Sequence, residues 1–438
     1  MQHRAIAWII AGLVALALPF VVLLAGERHE GRNMTWDFAM GLGFGALALG
    51  GLQFALTARF RPLTLPFGAD IVYLFHRYLA IGAVLVMLGH FGILYIWFEP
   101  ELGELNPLEA RWELTAGRVA LVCFGLLVVT SEFRKWLKLE YELWRHLHFG
   151  LAVIGFAAAI AHVLGVGRFT AAVETRALWL GVTLAWLLLL VWLRVGKPWL
   201  QRRNPWRVVS NEAQHGGAHS ITLEPLGKPL TPWQPGQFVW LTLESSPFAL
   251  DEHPFSIASA PDSAPLVTVS IKPLGDFSSR AAAAKPGDVG YLEGPFGAFS
   301  IDREDAAATG FVMVAGGIGI TPMLANLRAM RDRGDRRPAW LFYANPDLDS
   351  AAFREELTAM QQQLDLKLVH VLEDPPPDVD AEKGFVTRDI LEKHLPADLE
   401  GLRFLLCGPE PMTVAVAEAL AAMGVSSAEI KTELFDMV

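Results

Sequence analysis

IVYLFHRYLAIGAVLVMLGHFGILYIWF, Ile71 to Phe98, is long and apolar enough to cross a bilayer, yet it carries His76 and His90. Fourteen residues at ~100° each come within about 40° of whole turns, so both imidazoles share one helix face. At ~1.5 Å per residue they sit ~21 Å apart. A second apolar stretch, Leu147 to Val166, contains His148 and His162, again fourteen apart. Two helices with this spacing and a common direction place four imidazoles in two facing pairs. That is a ladder suited to two haems, each iron held by one histidine from either helix. A lone histidine in an apolar helix is more often a satisfied core residue. Ionisable groups inside a membrane are expensive and tend to be functional, and the matched spacing sets these four apart. His146 is sixteen residues from His162 and turned ~160° away, which reads as an interfacial residue.

Of the 438 residues 53% are hydrophobic and only 19% charged, and the charges gather in the second half. The net charge of −10 argues against nucleic-acid binding. Two cysteines, Cys123 and Cys407, are too few for a disulfide framework or a zinc motif.

Six spans are drawn in the first two hundred residues: Ala5–Leu24, Phe38–Ala58, Ile71–Phe98, Leu114–Ser131, Leu147–Val166 and Ala177–Leu193. The first is too long for a signal h-region and is kept as a helix. Basic residues set the orientation: Arg59 and Arg61, then Arg134, Lys135, Lys138 and Arg145, then Arg194, Lys197, Arg202 and Arg203. They put the N-terminus and the second half in the cytoplasm of a multi-pass plasma (inner) membrane protein. His76 and His148 become the inner pair, His90 and His162 the outer. Arg77 and Arg145 fall near the inner pair, where they could meet haem propionates or simply follow the positive-inside rule.

Lys197–Pro205 reads as a short basic linker. Beyond it SITLEPL, QFVWLTLE and LVTVSIKPL are separated by turn signals and suggest a small antiparallel β-barrel. After about residue 310 the strands GFVMVAG, AWLFYA, LKLVHVL and FLLCG alternate with helical stretches, the rhythm of a doubly wound α/β domain. The boundaries are 1–200 for the membrane domain, 205–305 for the barrel and 306–438 for the α/β domain. The first α/β turn, GGIGITPM from Gly316, lets a phosphate approach the backbone at a helix N-terminus.

HPFSIASAP, His253 to Pro261, resembles the flavin-binding motif of the ferredoxin–NADP reductase superfamily. With the four membrane histidines, the chain resembles the NADPH oxidase and ferric reductase family of flavocytochromes. IKPLGDFS from Ile271, GPFG from Gly294, GGIGITPM from Gly316, LLCGPEPM from Leu405 and the near-terminal ELFDMV follow in the family's order. The resemblance covers nearly the whole chain. It implies FAD, two b-type haems and NAD(P)H as electron donor, with His76, His90, His148 and His162 as haem ligands. It places His253, Pro254, Phe255 and Ser256 along the flavin, Ser256 near its reactive N5. Ile271, Lys272, Ser278 and Gly294 lie toward FAD and its phosphates. Gly316, Gly317, Gly319 and Thr321 hold the dinucleotide; Cys407, Gly408 and Pro409 border the nicotinamide; Phe435 stacks on the isoalloxazine. Ser256, Cys407 and Phe435 are thus the catalytic candidates.

One departure concerns the coenzyme. The segment YANPDLDSAAFREEL after the second nucleotide strand carries Asp347 and Asp349, with no basic residue before Arg354. Acidic residues there repel a 2′-phosphate and accept from a ribose hydroxyl, which is compatible with NADH use despite the family's name. A two-electron hydride donor and one-electron haems require a flavin between them. The implied function is a transmembrane NAD(P)H oxidoreductase. Its small-molecule acceptor is O2, giving superoxide, or a ferric complex; delivery to a partner protein or quinone is the reading from another class. A partner subunit is compatible with all three.

Overall fold

The computed structural model describes residues 2–25, 33–61, 68–104, 106–304 and 308–433. The chain forms two compact units, Met1–Lys197 and Pro198–Val438.

The first unit is helical: α1 (Gln2–Ala25), α2 (Met34–Leu56), α3 (Ala69–Trp97), α4 (Trp112–Glu132), α5 (Tyr141–Val166) and α6 (Val173–Val191). Among the described residues five helices, α2 to α6, are long and apolar enough to cross a membrane; α1 adds a shorter apolar run, Ile6–Val21. Asn33 caps α2, its Oδ1 accepting from Trp36 N–H at 2.9 Å, and Gly167 closes α5 in the left-handed conformation at φ 70°. α3 packs on α2, and α5 on α4. Phe44 and Leu47 of α2, Phe156 and Ile160 of α5, and Trp179 and Trp186 of α6 form the core of the unit.

Several boundaries differ from the sequence reading, and two of the differences are the largest. α5 starts at Tyr141, not Leu147, because Tyr141 and Trp144 form a first turn on which the Arg134 guanidinium rests, 5.3 and 5.5 Å from the two rings. Lys197–Pro205 is not a plain linker. One π-turn, Trp192–Gly196, leads from α6 into a helix over Lys197–Arg202, whose Trp199 ring lies 3.5 Å beneath Arg203.

The second unit holds two sheets. The first is antiparallel, ordered β4-β3-β6-β1-β2-β5, from β1 (Trp206–Ala213), β2 (His219–Pro225), β3 (Phe238–Leu243), β4 (His253–Ser256), β5 (Val267–Ile271) and β6 (Val289–Phe296). Alternate residues Ile221, Leu223, Val239, Leu241, Val267 and Val269 turn inward around Trp206, as period-two strands require. Its two edges meet: Ile257, just past β4, bridges Val269 of β5.

The second sheet is parallel, ordered β10-β9-β8-β7-β11-β12, from β7 (Gly310–Gly316), β8 (Ala339–Asn345), β9 (Leu366–Leu372), β10 (Glu382–Lys383), β11 (Leu402–Cys407) and β12 (Ile430–Glu433). Along β7, Phe311, Met313 and Ala315 pack under Leu324 and Leu327, whereas Val312 and Val314 join the opposite cluster around Leu391 and Val416. Both faces are covered, so the sheet is doubly wound.

Candidate functional site

In the helical unit α3 and α5 carry the four histidines the sequence singled out. The His76 and His148 rings stand 6.2 Å apart between centroids. Ser131 Oγ lies 3.3 Å from His148 Nδ1 and accepts from Trp144 Nε1–H at 3.3 Å. His76 Nδ1 is buried with no hydrogen-bond partner among the described residues. Four turns along, His90 Nδ1–H donates to the Ala39 carbonyl at 2.7 Å, and His162 Nδ1–H to the Glu113 carbonyl at 2.8 Å. Those bonds fix the tautomer and leave Nε2 as the atom with a lone pair, the state a metal-ligating imidazole needs.

Two glycines make this possible. A Cβ on Gly43 of α2 would lie 3.1 Å from His90 Nδ1, and one on Gly117 of α4 only 2.8 Å from His162 Nδ1. The neighbouring helices therefore accommodate the rings only where they lack side chains. The donor set and its support fit a haem pair. His146, by contrast, is exposed and bonds its own helix at Glu142 O. Arg77 forms a fork with Glu132 of α4, at 2.8 and 2.6 Å.

In the second unit His253, Pro254, Phe255 and Ser256 make up β4, registered against Leu241 to Phe238 of β3. His253 stacks on Phe277 at 4.2 Å and Phe255 follows at 5.9 Å, both rings nearly parallel to it. Ser256 is buried. Ile271 ends β5 in the core, with Lys272 directly beyond it. Ser278, in the first turn of α7 (Asp276–Ala282), accepts from the Leu274 and Gly275 amides at 2.9 Å each. Gly294 lies near the end of β6 at φ 153°, where a Cβ would lie 3.0 Å from Val239.

β7 feeds α8 (Ile320–Arg333) on one face of the parallel sheet, and its neighbour β11 feeds α11 (Glu410–Ala422) on the other. Between them stand α9 (Arg354–Met360) and α10 (Arg388–His394). The turns after β7 and β11 thus sit at the topological switch point, where open α/β sheets bind ligands. They touch: a Cβ on Gly319 would fall 2.3 Å from Cys407 O, and one on Gly316 2.8 Å from Pro409 Cδ. Gly317 takes φ 52° with open space before it. Gly408 follows Cys407 in the same turn, and Thr321 is buried with its hydroxyl donated to Ile318 O at 2.9 Å.

Cys407 is fully buried; burial, with the Glu433 carboxylate beside it, pushes its thiol well above the ordinary value. Glu433 of β12 is the residue sequence reasoning missed. It pairs in register with Cys407, and its Oε1 lies 3.5 Å from where a Gly297 Cβ would stand. Phe435 falls outside the described residues. Asp347 accepts from Ser350 N–H at 2.7 Å; hydrogen bonds from Ser350 hold its carboxyl below the usual range, with Lys272 adding to the effect. Asp349 pairs with Arg354 at 3.1 Å, and Arg354 also meets Glu355 at 3.0 Å.

Three family models match in the order of these elements: a ferric reductase like transmembrane component over residues 42–161, an FAD-binding domain over 220–285, and an oxidoreductase NAD-binding domain over 313–418. The chain has the NADPH oxidase and ferric reductase architecture. Its flavin- and NAD-binding domains form a ferredoxin–NADP reductase-type dehydrogenase half. That half is similar to NADH-cytochrome b5 reductase 1 of Debaryomyces hansenii, 35% identical over 167 residues, 37% of this chain and 58% of that protein. The Arabidopsis thaliana NADH–cytochrome b5 reductase 1 is 34% identical over 163 residues, 36% of this chain and 57% of its own. The chain thus spans less than three-fifths of these relatives. Among solved structures, the flavohemoglobin from Malassezia yamatoensis, determined with bound FAD and heme, gives a TM-score of 0.50. The match covers 91% of this chain and 97% of that one at 17% identity, a likeness of fold alone.

Proposed function

We propose that this protein is a transmembrane NAD(P)H oxidoreductase that draws electrons from NAD(P)H through FAD and two stacked b haems to an extracytoplasmic acceptor. The acceptor assigned first is O2, giving superoxide; ferric chelates are the second reading, favoured by the short connections at the outer end. The observation that carries the proposal is the four-histidine set, with His90 and His162 locked by carbonyls into the ligating tautomer.

His76 and His148 would hold the inner haem and His90 and His162 the outer. Haems held there would supply one-electron carriers. Ala39 and Glu113 orient the outer imidazoles, Ser131 the inner one on α5, and Gly43 and Gly117 give the rings room. In the dehydrogenase half β4 presents His253 to Ser256 to the flavin. Lys272, Ser278 and Gly294 support its phosphates, and the chain after Glu433 carries Phe435 to cover the ring. FAD, when bound, converts a two-electron donor into single electrons. The α8 amides behind Gly317 and Gly319 face the coenzyme pyrophosphate. Asp349 and Glu355 engage Arg354, and Asp347 adds negative charge to the same segment, which supports use of NADH beside NADPH.

The proposed domains are 1–200, with α1 as a sixth span, 205–305 and 306–438. The Ile257–Val269 bridge supports a closed barrel for the second. Basic residues on one side of the spans support a cytoplasmic N-terminus and dehydrogenase half in the plasma (inner) membrane. Outward electron flow from a negative interior is then helped by ~2.3 kcal/mol per 100 mV. The test is the purified protein in lipid, given NADH, with superoxide and ferrous iron measured in parallel. Superoxide formation supports the first reading and ferrous iron alone the second. Neither product, with the haems still reduced by NADH, would leave delivery to a partner protein or quinone.

A further inference from the structure

Between the flavin sheet and the nucleotide domain lies a polar cavity of about 300 Å³, walled by Ser220, Thr222 and Thr268 on one side and Arg328, Phe353 and Glu356 on the other. Arg328 of α8 bridges the two walls. Its Nη1–H donates to the Ala258 carbonyl at 2.9 Å, while Nε and Nη2 form a parallel fork with Glu356 at 2.8 and 2.7 Å. Its guanidinium lies 5.9 Å from the Phe353 ring centroid. The planar fork is thus held from two directions, a geometry that a lysine cannot copy.

What the fork joins is informative. Ala258 lies two residues beyond Ser256, and its own N–H donates to Thr268 O at 2.8 Å, so it belongs to the seam where the sheet edges meet. At the other end, α8 rises directly from the Gly316–Gly319 turn that rests on Cys407. The guanidinium sits eight residues into that helix, ~12 Å from its start. One rigid helix therefore carries the nucleotide turn at its tip and grips the flavin motif along its side.

We propose that Arg328 is a positioning residue for hydride transfer, setting how closely the nucleotide turns approach the flavin strand. The step it serves moves one hydride, two electrons with a proton, from C4 of NADH to flavin N5; the nicotinamide leaves as NAD⁺ and the flavin is reduced. A displacement of ~1 Å at such a step costs up to ~100-fold. The inference rests on the flavin lying along His253 to Ser256.

The test uses the full chain in lipid nanodiscs. Arg328→Met is expected to keep FAD and to bind NAD⁺ within about twofold of the parent, while flavin reduction at saturating NADH slows about tenfold or more. Amide exchange is expected to quicken over residues 256–268 and the side of α8, a readout independent of turnover. Arg328→Lys keeps one contact and recovers part of the rate. Flavin reduction within about twofold of the parent would overturn the proposal, as would loss of FAD with unchanged NAD⁺ binding. Should Arg328→Met fail to fold, Glu356→Gln decides, since it weakens the fork and leaves the Ala258 contact. A flavin-replete Glu356→Gln protein with unchanged flavin reduction and exchange overturns the idea; slowing by about threefold or more sustains it. A parent protein that takes up no FAD refutes the flavin assignment, and is recognised before any variant is compared.

Discussion

The imidazoles of His76 on α3 and His148 on α5 stand 6.2 Å apart, centroid to centroid, with their planes tilted by 53°. Two imidazoles on opposite sides of one metal atom, each ~2.0 Å from it with half a ring behind, come to ~6 Å. His76→Ala or His148→Ala is therefore expected to halve the haem content, as is His90→Ala or His162→Ala for the other site. His146→Ala should change nothing, because that ring bonds its own helix at Glu142. Haem-to-protein ratios from pyridine extracts check this. Four variants all retaining two haems would remove the ladder.

Gly117 gives a test that leaves every ligand in place. A methyl group there would stand 2.8 Å from His162 Nδ1, whereas Gly125 on the same helix has nothing within 4 Å of its virtual Cβ. Gly117→Ala is expected to disturb the bond to Glu113 O and to loosen or lose the outer haem. Gly125→Ala should behave as the parent, gaining slightly in helix propensity. Equal haem content and equal potentials in the two variants would show that the close packing of Gly117 is irrelevant.

The contrast between histidines and glycines marks what sequence could reveal. The fourteen-residue spacing of the histidines is a one-helix property, legible from sequence alone. Gly43 and Gly117 matter because of imidazoles on other helices, and nothing local announces such a contact. Strand legibility follows the same rule. β2, β3 and β5 are apolar enough to read directly, but β4 is only His-Pro-Phe-Ser and becomes a strand by pairing with β3. β12, which brings Glu433 beside Cys407, is four residues long and exists through its pairing with β11. Hydropathy alone places the start of α5 too late because it ignores aromatic residues such as Tyr141 and Trp144, on which Arg134 rests.

Coenzyme choice should follow the charges after β8. Asp349 and Glu355 both engage Arg354, the first basic residue after β8. The parent is expected to favour NADPH by less than tenfold in kcat/KM, roughly 1.4 kcal/mol, if at all. Asp349→Ala with Glu355→Ala releases Arg354 and should move the ratio toward NADPH by about three- to tenfold. A hundredfold NADPH preference in the parent would show that these acidic residues do not govern the site.

The Cys407 thiol should be inert in the folded protein. Burial and the nearby Glu433 carboxylate both favour its protonated form, so the folded chain keeps the proton above the pH at which an exposed thiol ionises. The associated stability is fully present below the ordinary thiol range and declines as pH rises through it. In a Cys123→Ala background, alkylation followed by mass spectrometry from about pH 7 to about pH 9 should show little modification until the protein is unfolded. Rapid native alkylation at about pH 8 would contradict the burial.

The acceptor prediction rests on how little chain covers the outer end of the ladder. α5 and α6 are joined by residues 167–172, and α3 and α4 by residues 98–111, part of which is the short helix Glu99–Leu102. These connections are tied down. Arg118 donates to Leu102 O at 2.7 Å and Glu104 O at 2.8 Å, Thr170 to Val163 O at 3.2 Å, and Arg168 lies over the Trp36 ring. Trp36 in turn meets Phe98 edge-on at 5.1 Å. Residues 167–172 are too few for a lid, and residues 98–111 only reach the ~12–15 residues at which a lid-forming loop ordinarily begins. With an outer haem bound as proposed, this cover is expected to leave its edge accessible to molecules larger than O2. The isolated protein is therefore expected to reduce oxygen and also ferric chelates or cytochrome c. The measurement is haem reoxidation after anaerobic reduction with NADH, using ferric chelates of increasing size. Rates should fall gradually with size. Rapid reoxidation by oxygen, with none by any chelate, would mean that the site is closed, and the cover would then have to come from a neighbouring subunit.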